Sequence, residues 1–397
     1  MRFSSLFTPL LFAALIPLPA RADTALVLPF FNLSKSPNLD WIGESIAENI
    51  RESLGAEGIL VLNREDRQEA FRRLSVRPYA LLTRASVVKL AEAVDASQVI
   101  FGQFDFTPAE AQALPTKGSL RITGRVIDLK LIKQGPELVE LGALEDLAFL
   151  QTHLAWQVLR ALAPDTSSTE QSFLKARPTL RVDAIESYIR GLLATSRDQK
   201  LRFFAQAARL DNRFSQPCFQ LGRMHVDHKD FRLAIEWLER VARADSHYYE
   251  ARFLLGLCRY YTADYARAEQ AFAQVAEAVP VNEVINNLAA AQSRRNSPEA
   301  VSNFRKALEG DAADPDFHFN LGFALWKRAQ FDDAAQSFRA SLERKTDDPE
   351  ATLMLGRCLQ KSGPRPGDPK SDGLERIKLN FEETFYRQLK AALEVKK

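Results

Sequence analysis

Two kinds of apolar periodicity divide the chain. Between residues 24 and 162, short apolar runs typical of strands alternate with stretches of helical spacing. From Ala184 onward, apolar and small residues recur only at helical spacing, and the pattern repeats along the sequence. We therefore predict an α/β N-terminal domain, with a mixed sheet and flanking helices, followed by an all-α solenoid.

The first half contains five predicted strands and four predicted helices. The strands cover residues 24–34, 59–64, 97–106, 119–132 and 138–143. The helices cover residues 37–54, 64–74, 86–96 and 144–162. Only Lys133-Gln134-Gly135-Pro136 separates the last two strands, so we expect them to pair as a hairpin. Helix-connected strands and a terminal hairpin together indicate a mixed sheet.

The second half repeats every 33 or 34 residues. Small residues that follow a leucine stand at Gly222, Gly256, Ala289, Gly322 and Gly356. An aromatic residue, an alanine and a second large side chain follow in most units. This pattern resembles the tetratricopeptide repeat (TPR), a helix–turn–helix unit of 34 residues. The resemblance implies about five to six stacked helical hairpins over residues 183–397.

The C-terminal stretch follows a Pro/Gly-rich loop at residues 363–373. Leu374, Ile377, Phe381 and Phe385 then recur at helical spacing. We predict a capping helix here, with its Lys and Glu residues on the polar outer face that a terminal repeat needs.

The N-terminus has the pattern of a secretory leader. Arg2 precedes an apolar stretch from Leu6 to Leu18, and Ala20-Arg21-Ala22 is a small-x-small cleavage site. We predict a signal peptide over residues 1–22, cleaved after Ala22, and a periplasmic or secreted mature protein. No later run of 18 apolar residues occurs, so no transmembrane segment is expected after cleavage. The predicted domains are residues 23–164 and 183–397, with a linker at 165–182.

A second resemblance concerns residues 24–200. The segments ALVLPFFNLS, ASQVIFGQF with Gly102, TGRVIDLKL and EDLAFLQTHLAWQVLRAL occur in that order. They resemble the TolB amino-terminal-like domains found beside TPR arrays in bacterial envelope and signalling proteins. The chain departs from that pattern at an inserted loop, residues 107–118, and lacks a tryptophan in 138–143. The resemblance implies an α/β fold and names no particular partner.

Composition narrows the function further. The chain has 53 Lys+Arg and 51 Asp+Glu, a net charge of +2 that falls to zero without the two leader arginines. This balance argues against a nucleic-acid-binding protein, which should carry a clear basic excess. The sequence has no Gly-rich phosphate loop, HExxH, GxSxG or CxxC motif. We therefore predict no enzymatic activity, no cofactor and no metal.

Several residues with reactive or metal-binding side chains have a simpler interpretation as packing residues. Cys218, Cys258 and Cys358 lie on first helices of repeats and are predicted to be buried. The pair His225 and His228 could hold an ion, but the repeat register favours packing and a turn. Asp128 is interpreted as a turn residue at a strand end.

The repeat array offers a candidate binding groove, formed by fixed positions of the first helices. Asn287 and Asn320 share one position and could grip an extended peptide backbone through their amides. Arg294 and Lys327 share another and could hold an acidic side chain or a carboxyl terminus. The alternative is that Asn is common at this position and that the charges are solvated. The predicted groove residues are Gln220, Arg223, Phe253, Tyr260, Tyr261, Asn287, Arg294, Phe319, Asn320, Phe323, Trp326, Lys327 and Arg357.

Two functions follow as hypotheses. The first is a non-enzymatic envelope adaptor that binds a protein or an extended peptide in the groove. The second is a small-molecule sensor or enzyme in the N-terminal domain, with a cleft near Asn32, Ser34 and Asp128, and repeats that serve oligomerisation. The sequence leaves the oligomeric state and the partner open.

Overall fold

A computed structural model describes residues 24–34, 36–109, 118–365, 372–383 and 386 of the chain. The predicted signal peptide lies outside these residues. Within the described ranges, no helix is both long and apolar enough to cross a membrane.

The first half forms one mixed sheet. Its strands are β1 (Thr24–Val27), β2 (Phe31–Asn32), β3 (Leu60–Val61), β4 (Gln98–Pro108), β5 (Gly118–Asp128), β6 (Lys133–Gln134) and β7 (Leu138–Ala143). The order is β3-β1-β4-β5-β6, with β2 beside β4 and β7 beside β5. Strand β1 pairs in parallel with β3 and β4, and β2 pairs in parallel with β4. Strand β5 pairs antiparallel with β4, β6 and β7. The predicted pairing of residues 119–132 with 138–143 is confirmed, and β6 lies inside their connection.

Helices cover both faces of the sheet. They are α1 (Asp40–Ala56), α2 (Arg64–Arg73), α3 (Arg84–Glu92), α4 (Leu147–Leu162) and α5 (Glu170–Lys175). Along β1, Ala25 and Val27 belong to the core beneath α1 and α4, whereas Leu26 belongs to the core with α2 and α3. This alternation follows from the two-residue period of a strand. The predicted α/β fold is confirmed.

The segment between the two halves contains more structure than predicted. Residues 165–182 were expected to be a linker, but α5 forms within them. Phe173 of α5 is buried, and its ring lies 5.4 Å from that of Trp156 on α4. The segment is therefore packed against the N-terminal domain, because this contact removes the apolar ring of Phe173 from water.

The second half is a series of helical hairpins, as predicted. Its helices are α6 (Val182–Leu193), α7 (Arg197–Leu210), α8 (Ser215–Asp227), α9 (Phe231–Leu238), α10 (Tyr248–Tyr261), α11 (Tyr265–Ala278), α12 (Asn282–Arg294), α13 (Glu299–Gly310), α14 (Pro315–Lys327), α15 (Phe331–Arg344) and α16 (Pro349–Leu359). The repeated glycines mark close helix contacts, since a Cβ on Gly256 would lie 2.7 Å from the ring of Phe272. The three cysteines are buried, as predicted.

The two halves share a hydrophobic core. Ile46 on α1 and Leu154 on α4 belong to the same cluster as Tyr188 on α6 and Phe204 on α7. The ring of Tyr188 lies 5.7 Å from Phe204 and 5.0 Å from Phe214. The first repeat is therefore packed onto the N-terminal domain through apolar side chains.

The predicted capping helix is wrong for its first part. Residues 374–382 are not helical, and helical bonding begins only where the amide of Tyr386 donates to the carbonyl of Glu382 at 3.2 Å. Phe385 lies outside the described residues. Residues 372–382, called here the C-terminal segment, instead lie against the first helices of the repeats. Side chains of these helices form hydrogen bonds with the backbone of the segment.

Candidate peptide-binding groove

A row of buried asparagines forms the centre of the candidate site. Asn286 and Asn287 lie on α12, and Asn320 lies on α14. All three residues are 0% exposed. The surface formed by the first helices α10, α12, α14 and α16 is called the groove below. Burying three amide side chains is costly unless each finds hydrogen-bond partners, and the C-terminal segment supplies them.

Two asparagines each bind both backbone groups of one residue. The amide nitrogen of Asn320 donates to the carbonyl of Arg376 at 2.8 Å, and its oxygen accepts from the Arg376 amide at 2.7 Å. Asn287 binds Lys378 in the same way, at 2.7 and 2.8 Å. Because these four hydrogen bonds use only main-chain groups of the segment, they do not depend on its side chains, provided that neither bound residue is proline.

Asn286 connects these two contacts. Its amide donates to the Arg376 carbonyl at 2.9 Å and to the Asn287 oxygen at 3.2 Å, while its oxygen accepts from Asn320 at 2.8 Å. The row thereby fixes the orientation of every amide in it. Successive repeats bind residues two apart, which suits an extended chain whose alternate side chains point the same way.

One acidic side chain of the segment enters a basic pocket. The carboxylate of Glu375 is 0% exposed and accepts a hydrogen bond from Ser293 at 2.7 Å. Arg294 and Lys327 lie 3.8 and 3.7 Å from its oxygens. Burial lowers the pKa of Lys327, and the attraction of Glu375 only partly opposes this shift.

The two basic side chains of the segment meet acids. Arg376 lies 2.7 Å from Asp348, 3.2 Å from Asp316 and 3.2 Å from Glu350. Lys378 lies 2.7 Å from Asp314 and 2.8 Å from Asp316. Burial favours a higher pKa for Asp316, but the hydrogen bond from Lys378 and the charge of Arg376 outweigh it and lower that pKa. The pKa of Asp348 is lowered too, because burial, which favours a higher pKa, is outweighed by the hydrogen bond and the charge of Arg376, so Asp316 and Asp348 are held in their charged form.

Aromatic contacts complete the binding. The guanidinium of Arg376 lies 3.7 Å from the centre of the Phe319 ring. Phe381, at the other end of the segment, has its ring 4.7 Å from that of Phe253 on α10. Ile377 packs against the apolar clusters of both α10–α12 and α14–α16. The groove thus combines main-chain hydrogen bonds, charge pairs and apolar contacts.

The structure brings six predicted groove residues to this segment. They are Phe253, Asn287, Arg294, Phe319, Asn320 and Lys327. Tyr260 packs beside them with its pKa raised by burial and by the charge of Glu375.

The other predicted groove residues make different contacts. Arg223 is exposed and lies 4.0 Å from Glu250, and Gln220 is on the same helix, α8. Tyr261 stacks on Phe231 at 5.0 Å. Phe323 and Trp326 are buried, and the indole of Trp326 donates to the Ser362 carbonyl at 2.7 Å, with Arg357 5.9 Å above its ring.

Sequence reasoning missed the acidic side of the groove. Asp314 and Asp348 are N-caps of α14 and α16, and each accepts a backbone amide hydrogen bond of its own helix. An aspartate before a helix is ordinarily explained by that role alone. The available signal was the recurrence of these aspartates one repeat apart, opposite a C-terminal stretch that carries Arg376 and Lys378.

The predicted cleft of the N-terminal domain is not formed. Asn32 lies opposite Phe104 on β4, whereas Asp128 lies opposite Gln98, about 20 Å away along the strand. Asn32 binds Asp40 at 2.8 Å, and Asp128 accepts the Leu131 amide at 3.0 Å. Both side chains stabilise local turns.

A cavity lies instead at the junction of the two halves. Its volume is about 450 Å³, and its lining includes Glu48 and Glu52 of α1, Gln151 of α4, Tyr188 of α6 and Arg213. Burial raises the pKa of Glu52 to about 7, against the opposing charge of Arg51.

The histidine pair makes separate contacts. His225 lies 3.5 Å from Asp230, and His228 bonds the Met224 carbonyl at 3.1 Å. In the part of the chain that the structure describes, no three His, Cys, Asp or Glu side chains could hold a metal ion together.

Comparison with known proteins identifies the repeats. The family model described as tetratricopeptide repeat matches residues 219–283, 289–349 and 324–363. Residues 219–363 therefore carry tetratricopeptide repeats. No curated protein matched the sequence.

Solved structures of low sequence identity are similar to part of the chain. MamA is 18% identical, over 38% of this chain and 88% of that chain, with a TM-score of 0.35. MamA residues 41 to the end, from Desulfovibrio magneticus RS-1, are 20% identical over 40% and 92%, with a TM-score of 0.36. YrrB, described as a TPR protein with an unusual peptide-binding site, is 16% identical over 49% and 97%, with a TM-score of 0.35.

Proposed function

We propose that this protein is a non-enzymatic interaction scaffold whose groove binds an extended polypeptide segment. The observation that carries the proposal is the double hydrogen bonding of Asn287 and Asn320 to alternate residues of an extended chain. Such a row satisfies the backbone of a bound strand without requiring a particular sequence. The absence of common catalytic motifs from the sequence supports a binding role.

The proposed setting is the bacterial envelope. The leader-like residues 1–22 and the TolB-like motifs of residues 24–200 support export and an envelope adaptor role. N-terminal sequencing of the protein purified from the periplasmic fraction is expected to begin at Asp23. A cytoplasmic protein that begins at Met1 would contradict the proposed export.

Crosslinking in cells tests the groove. The variant Asn287→Ala/Asn320→Ala/Lys327→Glu removes four backbone hydrogen bonds and reverses one charge. We expect its specific crosslinked protein partners, identified by mass spectrometry, to be lost. The variant Arg305→Glu, on an exposed part of α13, should retain them. An unchanged set of partners in the triple variant would rule out the groove.

A further inference from the structure

We propose that the C-terminal segment is a built-in competitor for the groove, so that a partner binds by displacing residues 374–381. The partner is an extended polypeptide segment with the same pattern of side chains: an acid, two basic residues separated by an aliphatic one, and an aromatic residue three positions later. This inference rests on the proposed function, since it identifies what the groove recognises.

The alternation of charge in the segment sets the specificity. In an extended chain, residues 375 and 377 point to one side and residues 376 and 378 to the other. Glu375 accordingly meets Ser293, Arg294 and Lys327. Arg376 and Lys378 meet the aspartates at the helix starts. A ligand with the opposite charge order would place acid against acid and base against base, which disfavours it.

The order of the contacts fixes the direction of the ligand. Arg376 is bound by Asn320 of α14, Lys378 by Asn287 of α12, and Phe381 contacts Phe253 of α10. The segment therefore runs from later repeats to earlier ones. A partner with the same pattern would have to enter in the same direction, with its acid between α12 and α14 and its aromatic residue near α10.

The contacts of the segment are of an exchangeable kind. Most are main-chain hydrogen bonds and ion pairs, and a second strand of the same pattern can form each of them. The three buried asparagines lose their backbone partners if the segment leaves unoccupied, which favours replacement by another strand over an empty groove. If the segment fills the groove about 99% of the time, it weakens the apparent affinity of a partner about 100-fold.

A peptide of residues 372–382, DGLERIKLNFE, is the probe for this competition. Its fluorescence anisotropy is measured with the full-length wild type and with the release variant Arg376→Glu/Lys378→Glu. The release variant places two acids against Asp316 and Asp348, so that its own segment is expelled. The control variant Arg305→Glu/Lys306→Glu makes the same charge change on exposed positions of α13.

We expect the release variant to bind the peptide at least 10-fold more tightly than the wild type and the control. Adding Asn287→Ala/Asn320→Ala to the release variant should remove this binding. A second release variant, Glu375→Lys, places a positive charge against Arg294 and Lys327, and this repulsion should expel the segment as in the first release variant. Circular dichroism confirms that each variant is folded.

The failures of the two proposals are distinguishable. Equal affinity for the wild type and both release variants would overturn competition by the segment but leave the groove as a peptide site. No binding to either folded release variant would overturn the peptide groove as well. A wild-type dimer in light scattering that the release variants lack would show that the segment occupies a second copy, and would overturn the intramolecular arrangement.

Discussion

Among the described residues, the repeat array contacts the N-terminal domain at one end and the C-terminal segment along its later repeats, and the chemistry of these two regions differs. Its first hairpin shares an apolar core with the N-terminal domain, where Tyr188 is 3% exposed. Its later repeats hold the C-terminal segment through buried amides and charges. Burial of apolar surface stabilises the folded state directly. A hydrogen bond or ion pair in a folded protein mostly takes the place of an interaction that the same groups made with water, so its net contribution to stability is small.

This difference separates a permanent interface from an exchangeable one. The junction is held mainly by apolar packing, beside a few polar contacts such as the hydrogen bond from Arg64 to the Leu192 carbonyl at 2.6 Å, and opening it would expose a continuous core. The groove gains little from its polar contacts in net free energy, yet each of them specifies a position of the bound chain. The following experiments test this contrast, from the largest expected effect to the smallest.

Truncation at the junction should destabilise the whole protein. Tyr188→Ala removes a buried ring that packs between Phe204 and Phe214. We expect the free energy of unfolding to fall by about 3–5 kcal/mol, as for other large aromatic truncations in cores. Urea denaturation followed by circular dichroism measures it. The matched control is Tyr261→Ala, a ring 49% exposed, which should cost about 1 kcal/mol; equal costs would contradict the burial of the Tyr188 ring in the core.

The junction also carries a pH dependence. Burial raises the pKa of Glu52 from 4.5 to about 7, although Arg51 and His247 oppose this shift. The unfolded chain therefore releases this proton at lower pH than the folded protein does. Stability is lost as the pH rises from about 4.5 to 7, by up to about 3 kcal/mol.

Comparison of Glu52→Gln with the wild type isolates this contribution. The amide introduced by this substitution carries no titrating proton, so the variant should gain stability relative to the wild type between pH 4.5 and 8. Urea denaturation at both pH values measures the gain. Parallel pH profiles for the two proteins would show that Glu52 ionises normally in the folded state.

The sequence was sufficient to predict most of the fold and part of the site. The repeat period, the β5–β7 hairpin and the mixed sheet follow from local patterns that tertiary contacts reinforce. Asn287, Asn320, Arg294 and Lys327 were found because the repeat register places them on one surface. These features depend on spacing alone, which a single sequence displays.

The conformation of the C-terminal segment was not predictable in the same way. Leu374, Ile377 and Phe381 fit a helical period, but residues 375–378 also alternate as an extended strand does. The choice depends on Asn286, Asn287 and Asn320, which are 56 to 91 residues distant from the backbone groups they bind. Local helix and strand propensities do not depend on partners so distant in the sequence.

Packing inside the array gives a smaller effect than the junction. Gly256→Ala would place a Cβ 2.7 Å from the Phe272 ring, whereas the same repeat position at Gly356 has nothing within 4 Å. We expect the first substitution to lower the free energy of unfolding by about 1–2 kcal/mol. The second should raise it by about 0.5–1 kcal/mol, because alanine favours a helix over glycine. Urea denaturation distinguishes the two, and the same sign for both would contradict the close approach at Gly256.

Substitution of two acids in the C-terminal segment should change the free energy of global unfolding least. The same substitutions should clearly change how often the segment detaches from the groove. Glu375 is buried between Arg294 and Lys327, while Asp372 binds Arg294 at 2.8 Å with 71% of its side chain exposed. Glu375→Ala takes the carboxylate from the largely buried Lys327 and leaves Arg294 with only the exposed Asp372, so the free energy needed to detach the segment should fall by about 1.5–3 kcal/mol. Asp372→Ala removes a solvated pair worth at most about 1 kcal/mol.

Hydrogen exchange of the Arg376 and Lys378 amides reports this detachment, because Asn320 and Asn287 protect them. We expect exchange to accelerate about 10- to 100-fold in Glu375→Ala and less than about 5-fold in Asp372→Ala. The amides of α6 and α7 at the junction should keep their protection in both variants. If those amides lost protection together with the segment, the groove and the junction would open as one cooperative unit, and the segment could not exchange for a partner while the array stays folded.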